Sequence, residues 1–146
     1  MKLTKASKLY DEETIHQYNE EYEIDFFELG MELRRSHKWK KAVPFLLKST
    51  TYQQPSAEKF FFLAATLDHL GEESRAIEYY RTALELGLSD EQTVKALTWL
   101  ASSYSKTGDK ASAIECIESA ISLGGYEPKI EFINIAYRVY CRTNSK

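Results

Sequence analysis

Histidine and cysteine are the residue types that would most readily bind a metal or act as nucleophiles, and this chain has few of them. There are three histidines, His16, His37 and His69, and two cysteines, Cys116 and Cys141. None of the five has another histidine or cysteine at the spacing of metal ligands, so we expect no metal site and no cofactor. The cysteines could form at most one disulfide, and we expect two free thiols in a reducing compartment.

Sequence motifs of catalytic sites are also missing. The chain contains no glycine-rich phosphate-binding loop, no His-Glu-x-x-His and no Gly-x-Ser-x-Gly. Carboxylates are plentiful, but they fall on apparent solvent faces, and no acid–base pair stands out. His69 lies near a predicted turn, where we expect a capping or surface role. The sequence therefore predicts a protein that is not an enzyme.

Charge is distributed unevenly along the chain. The net charge is −3, which argues against a nucleic-acid partner because phosphate contacts require a positive surface. Residues 11–28 hold eight carboxylates and no Lys or Arg, and five cations follow between Arg34 and Lys41. These blocks can face solvent or each other. The alternative is a basic patch with a regulatory role toward an anionic or nucleic-acid partner.

Neither a membrane span nor a secretory signal is predicted. No run approaches the roughly 18 uncharged apolar residues that a transmembrane helix needs. The basic residues at the start of the chain lead directly into Asp11, Glu12 and Glu13 without an apolar segment. We therefore expect a cytoplasmic protein with no membrane partner.

A repeat of apolar and small residues predicts the helices of this chain. Large apolar anchors recur at Phe26, Phe60, Leu97 and Phe132, which are 34, 37 and 35 residues apart. Apolar or small residues follow each anchor at offsets of three, four and seven, which places them on one stripe of a helix. The residue at offset four is always small, so that another helix can approach closely: Gly30, Ala64, Ala101 and Ala136.

Turn and cap residues divide each repeat into two helices. Gly71 and Gly108 suit the left-handed position that closes a helix. His37 stands where the first repeat would have this glycine, so we expect a milder or distorted turn there. Ser56 and Ser89 precede the helices of the second and third repeats as N-caps. The cap at Ser89 predicts that the helix of the third repeat starts a few residues early. This early start accounts for the 37-residue distance between the second and third anchors.

This pattern resembles the tetratricopeptide repeat family, whose paired antiparallel helices of about 34 residues stack into a right-handed superhelix. The resemblance implies an all-α fold, an α-α superhelix of about three helix-turn-helix repeats with a C-terminal solvating helix. It covers about residues 23–142 as one domain, with units at 23–56, 57–93 and 94–127 and a final helix at 128–142. The first unit matches less well, because it lacks the turn glycine and has Ser49 where alanine is usual.

Residues 1–22 precede the repeats and include a predicted amphipathic helix at residues 9–22. Its apolar face would comprise Ile15, Tyr18 and Tyr22. Such a helix can cover the first repeat or join two copies as a homodimer. Three repeats between an N-terminal helix and a final helix, in an acidic chain of this size, also resemble the type III secretion chaperones that hold translocator proteins. That resemblance implies a hydrophobic client protein.

Resemblance to the family also implies a binding groove, because the first helix of each unit lines the concave surface of such arrays. The groove positions lie one, five and eight residues after each anchor: Phe27, Met31 and Arg34, then Phe61, Ala65 and Asp68, then Thr98, Ser102 and Ser105, and finally Ile133, Tyr137 and Tyr140. This surface would be apolar and aromatic at its ends and polar in the middle, which suits a protein or peptide partner with apolar anchors. Two alternatives remain: a terminal helix covers Phe61, or the outer face of the last helix is core.

One known use of the family is not expected here. Members that grip the acidic C-terminal tails of chaperones use Lys, Asn and Arg at fixed positions of the groove. The corresponding positions hold Phe27, Met31, Phe62, Thr98 and Ser102. The sequence therefore predicts a non-catalytic scaffold or adaptor for another protein segment, with a secretion chaperone and a regulatory protein that uses its basic patch as the alternatives.

Overall fold

The computed structural model describes residues 24–144, which fold into α-helices without any strand. There are seven helices in this range: α1 (Phe26–Arg35), α2 (Trp39–Thr51), α3 (Ala57–His69), α4 (Glu73–Leu86), α5 (Asp90–Thr107), α6 (Lys110–Ser122) and α7 (Lys129–Asn144). The all-α prediction is confirmed. The helix predicted at residues 9–22 lies outside the described residues.

Helices that follow each other in the chain pack side by side. The pairs α1–α2, α3–α4 and α5–α6 form three helical hairpins, and the hairpins stack through contacts of α2 with α3 and of α4 with α5. The last helix, α7, packs on α5 and α6. This is the predicted superhelix of three repeats followed by one final helix. No helix in residues 24–144 is long and apolar enough to cross a membrane.

Small residues allow the helices to pack closely. Ala64 and Ala101 in the first helices, and Ala76 and Ala113 in the second helices, are completely buried. Ser49 replaces alanine in α2 and is also completely buried, and its hydroxyl donates a hydrogen bond of 2.6 Å to the carbonyl of Leu46. The serine therefore fits the alanine position because its polar atom is satisfied within its own helix.

The turn between α1 and α2 corrects one prediction. His37 has a φ of +60°, in the same left-handed region as Gly71 at +79°. The amide of Lys38 donates to the carbonyl of Leu33 over 2.8 Å, the same hydrogen bond that closes the turn after α3. The expected distortion is therefore wrong. The left-handed backbone costs a histidine more than a glycine, and the His37 ring offsets part of this cost by stacking on Trp39 with a centroid distance of 5.8 Å.

Serine caps begin α3 and α5 as predicted. The Ser56 hydroxyl accepts a hydrogen bond from the amide of Lys59 over 3.3 Å, and the Ser89 hydroxyl accepts one from the amide of Gln92 over 3.2 Å. Each bond satisfies an amide that the helix itself leaves without a partner. Because α5 begins at Asp90, it has 18 residues and is the longest of the described helices.

Gly30 is expected to tolerate no larger residue, although the other units have alanine at its position. A Cβ at Gly30 would lie 2.6 Å from Cδ2, 2.7 Å from Cγ and 3.2 Å from the backbone nitrogen of Leu46. We expect Gly30→Ala to lower the free energy of unfolding by about 1–3 kcal/mol through overpacking, against a gain of up to about 1 kcal/mol in helix propensity. Urea denaturation measures the difference, with Glu32→Ala on the exposed side of α1 as control. A variant more stable than the wild type would show that α1 and α2 are not packed this closely.

Candidate protein-binding groove

The first helices of three successive units meet around one cavity of about 280 Å³, which we call the tryptophan cavity. Its lining comes from α1, α3 and α5, together with one residue each from α2 and α4: Arg34, Ala65, Asp68, His69, Trp99, Trp39 and Tyr80. Three predicted groove residues, Arg34, Ala65 and Asp68, therefore lie together in the structure. The cavity spans the boundaries between units and is not confined to one repeat.

Stacked aromatic rings hold the two tryptophans in place. The Trp39 ring stacks on the His69 ring with centroids 3.9 Å apart, and the Trp99 ring stacks on Phe61 with centroids 5.6 Å apart. The indole N–H of Trp99 also donates to the hydroxyl of Tyr126 over 3.2 Å. Rings that already stack on neighbouring side chains lose little freedom when a ligand binds, so the walls of the cavity are already formed.

Arg34 supplies a cation to the tryptophan cavity. Its Nε donates to the Thr66 hydroxyl over 2.9 Å, and its guanidinium carbon lies 5.2 Å from the ring centroids of both Trp39 and Phe62. These ring faces attract the positive charge, but burial lowers the pKa of Arg34 because the charged form loses hydration. Within residues 24–144, Arg34 makes no ion pair with a carboxylate.

Asp68 supplies an anion, which already has a partner. The buried hydroxyl of Tyr80 donates to Asp68 Oδ2 over 3.0 Å. Burial raises the pKa of Asp68, and the hydrogen bond from Tyr80 and the charge of Lys106 oppose this rise. Burial also raises the pKa of Tyr80, so that its hydroxyl remains a donor at neutral pH. The carboxylate is therefore partly satisfied by the protein, whereas Arg34 is not paired with any described carboxylate.

Four of the predicted groove residues are buried and offer a ligand little surface: Phe61, Ala65, Thr98 and Ser105. The Thr98 hydroxyl donates to the carbonyl of Val94 over 2.8 Å, inside its own helix. The Ser105 hydroxyl accepts a hydrogen bond of 3.2 Å from Arg142, because α7 packs over this part of α5. Their contribution to a groove consists mainly of supporting the side chains around them.

The remaining predicted residues are accessible to different degrees. Ile133 and Tyr137 on α7 are 54% and 69% exposed. Four others are partly exposed on α1, α5 and α7: Phe27, Met31, Ser102 and Tyr140. The Phe27 ring lies 6.1 Å from the Phe62 ring of the next unit. Accessible apolar surface is therefore present at the two ends of the row of first helices.

Sequence reasoning missed Trp39, Trp99 and Tyr80 as residues of the cavity. Trp39 begins the second helix of its unit, and Trp99 lies two positions after an anchor, so neither occupies a predicted groove position. The rarity of tryptophan was the sequence signal that could have pointed to these positions. The chain has only two tryptophans, and both line the same cavity.

The basic block predicted from the sequence divides among three environments. Arg35 pairs with Glu28 and Glu32 on the surface of α1, and Arg34 lies in the tryptophan cavity. Exposed lysines line a second depression of about 350 Å³ around the start of α2, which we call the lysine depression: Lys38, Lys40 and Lys41, with His37, Trp39 and Leu70. None of the three lysines forms an ion pair within the described part of the chain.

The residues considered for metal or nucleophilic chemistry have other roles where the structure describes them. His37 and His69 stack on Trp39. Cys116 and Cys141 are free thiols, and burial raises the pKa of Cys116 to about 11, which disfavours the reactive thiolate. No group of metal-binding side chains occurs among residues 24–144.

Comparisons with known proteins agree with this architecture. A family model described as "Tetratrico peptide repeat" matches residues 57–130. Among solved structures, the crystal structure of PcrH from Pseudomonas aeruginosa is similar, with a TM-score of 0.60 and 20% sequence identity over 92% of this chain and 92% of that chain. At this identity the likeness shows the fold alone. No curated protein matches the sequence.

Proposed function

Because the chain belongs to the tetratricopeptide repeat family, we propose that it is a non-catalytic scaffold whose first helices, α1, α3, α5 and α7, bind a peptide segment of a partner protein. We call these four helices the binding row. One observation supports this most strongly: a single preformed cavity is lined by the first helices of three successive units. A ligand in that cavity would contact several units at once, as a peptide lying across the row does.

The dimensions of the binding row indicate the length of such a peptide. Directly packed helices lie about 8–10 Å apart, so a row of four spans at least roughly 30 Å, or at least about nine residues of extended chain. Apolar side chains of the peptide would contact Phe27 and Met31 at one end and Ile133 and Tyr137 at the other. A side chain between them would enter the tryptophan cavity. This arrangement of anchors around a central pocket is typical of peptide recognition.

Replacing the exposed apolar residues of α7 tests this proposal. We expect the Ile133→Gln/Tyr137→Gln double variant to capture its partner at least about tenfold more weakly, because each lost apolar contact is worth roughly 1.5 kcal/mol or more. Pull-down from the native cell with quantitative mass spectrometry measures the capture. Phe61 is unsuitable for this test because it is only 3% exposed.

The matched control is Ile121→Gln on α6, a second helix outside the binding row. Ile121 is 46% exposed, so this variant removes a similar apolar surface without touching the row. It should capture the partner as the wild type does. Undiminished capture by the double variant, with its helical circular dichroism spectrum intact, would show that the binding row is not the partner site.

A second candidate is a chaperone that keeps a hydrophobic segment of a secreted client soluble. The exposed apolar face of α7 favours it, since Ile130, Ile133 and Tyr137 are 66%, 54% and 69% exposed and the face of a solvating helix is usually polar. A chaperone gene is expected beside the gene of its client. Expression of the neighbouring product with and without this protein would then show whether the client aggregates alone.

The cytoplasm is the proposed site of action, where two free cysteines would stay reduced. A homodimer through residues 9–22 remains a prediction, because that segment lies outside the described residues. The lysine depression keeps an anionic partner as a further alternative. Binding through it would weaken steeply with salt, whereas binding to the apolar ends of the row would not.

A further inference from the structure

Among the described residues, no carboxylate pairs with Arg34, although partly buried charges normally have a partner of opposite sign. A partly buried cation without a carboxylate partner costs free energy, because it loses water and gains no equivalent attraction. Only Nε of Arg34 forms a hydrogen bond with a described residue, the Thr66 hydroxyl. The two terminal nitrogens carry donors in a planar fork, which matches the two oxygens of a carboxylate.

The charged residues near Arg34 do not provide the anionic partner. Arg35, the next residue, is exposed and pairs with Glu28 and Glu32 at 3.2 and 3.1 Å. Asp68 lines the same cavity, but no salt bridge joins it to Arg34, and it accepts its hydrogen bond from Tyr80. The guanidinium that lines the tryptophan cavity is therefore not paired with any carboxylate of residues 24–144.

We propose that Arg34 selects the ligand of the binding row by pairing with the side-chain carboxylate of an Asp or Glu inserted between Trp39 and Trp99. This inference rests on the proposed function, since it names the chemistry that the peptide must bring to the cavity. The indole rings contact the methylene groups of the acidic side chain and reduce the access of water to the ion pair. Exclusion of water strengthens the pair relative to one on the surface. The lysines of the lysine depression are exposed, whereas Arg34 is partly buried.

Selection from a random library tests the inference even while the natural partner is unidentified. The probe is a library of displayed peptides of about nine residues, fused at their C-termini so that no free terminal carboxylate is present. Sequences enriched by the full-length wild-type protein should share one acidic position with apolar residues on either side. A synthetic, C-terminally amidated version is then titrated against the protein by tryptophan fluorescence, because both tryptophans of the chain line the cavity.

Two comparisons identify Arg34 as the selecting residue. Replacing the shared Glu or Asp of the peptide by Gln or Asn should weaken binding to the wild type about tenfold or more. The same replacement should make less than about a twofold difference to Arg34→Gln, in which the ion pair is already lost. The matched control is Arg35→Gln, which should discriminate between the two peptides as strongly as the wild type. The peptide substitution itself requires no protein variant, so the acidic preference of the wild type is tested even if Arg34→Gln folds poorly.

Each outcome decides a different claim. Enriched peptides that share no acidic position would overturn the role of Arg34 and leave the binding row intact. If Arg34→Gln discriminated between the acidic and the amide peptide as strongly as the wild type, another residue would bind the acidic position. That result would also overturn the role of Arg34. A selection in which the wild-type protein enriches nothing would contradict the binding row itself, and the Arg34 inference with it.

Discussion

Tyr80→Ala is expected to lower the free energy of unfolding by about 3–5 kcal/mol, the usual cost of removing a large buried aromatic side chain. Tyr80 is completely buried in the core of the second unit, with its ring 6.3 Å from that of Phe61. The substitution leaves a cavity and also deprives Asp68 of the hydroxyl that donates to it. Since small domains are stable by only about 5–15 kcal/mol, this loss is a large fraction of the total.

Two further variants separate the contributions of Tyr80. Tyr80→Phe keeps the ring and removes the hydrogen bond to Asp68, so we expect a loss of about 1–2 kcal/mol. Tyr137→Ala removes a tyrosine that is 69% exposed and should change stability by less than about 0.5 kcal/mol. Urea denaturation followed by circular dichroism measures all three. A loss below about 1 kcal/mol for Tyr80→Ala would contradict the packing of α4 against α3.

Trp99→Ala is expected to have the next largest effect, a loss of about 3 kcal/mol. Trp99 joins two parts of the array, because its ring stacks on Phe61 of the second unit and its N–H donates to Tyr126 beyond α6. Tyr126 in turn donates to Glu131 at the start of α7 over 2.5 Å. Loss of the indole therefore weakens the attachment of the third unit and of α7 together.

The control for Trp99→Ala is Trp99→Phe, which keeps a ring against Phe61 and loses only the N–H donor. We expect this variant to lose about 1–1.5 kcal/mol. Thermal unfolding, monitored by circular dichroism, compares the two variants. If Trp99→Ala proved as stable as Trp99→Phe, the contact with Phe61 would not contribute to the stacking of the units.

The helices and their pairing were predictable because their buried faces repeat at fixed offsets. Leu63 and Leu67 lie on the stripe predicted from the anchor Phe60, and both are completely buried. Ser56 and Ser89 cap helices because a serine before an apolar helix start satisfies free amides in most contexts. These features depend on interactions within one helix or between adjacent helices. Such interactions join residues that are close in the sequence and can therefore be predicted from it.

The cavity was less predictable because it depends on how the units stack sideways. Trp39 and Trp99 are 60 positions apart in the chain and line one cavity together with residues of α3. The burial of Ser105 follows from the position of α7 above α5, which repeat offsets do not specify. The turn at His37 also differed from its prediction. His37 stacks on Trp39 and occupies a left-handed position where glycine is usual.

The central claim is that a partner peptide lies across the first helices of the repeats. The most direct test is nuclear magnetic resonance of the isotope-labelled protein with the captured or selected peptide, following the indole signals of Trp39 and Trp99 and the methyl groups of Ile133 and Ile121. We expect the signals of the two indoles and Ile133 to shift as the peptide saturates the protein, while that of Ile121 on α6 stays in place. Shifts confined to Ile121 and other residues of α6, with both indoles unchanged, would contradict the claim.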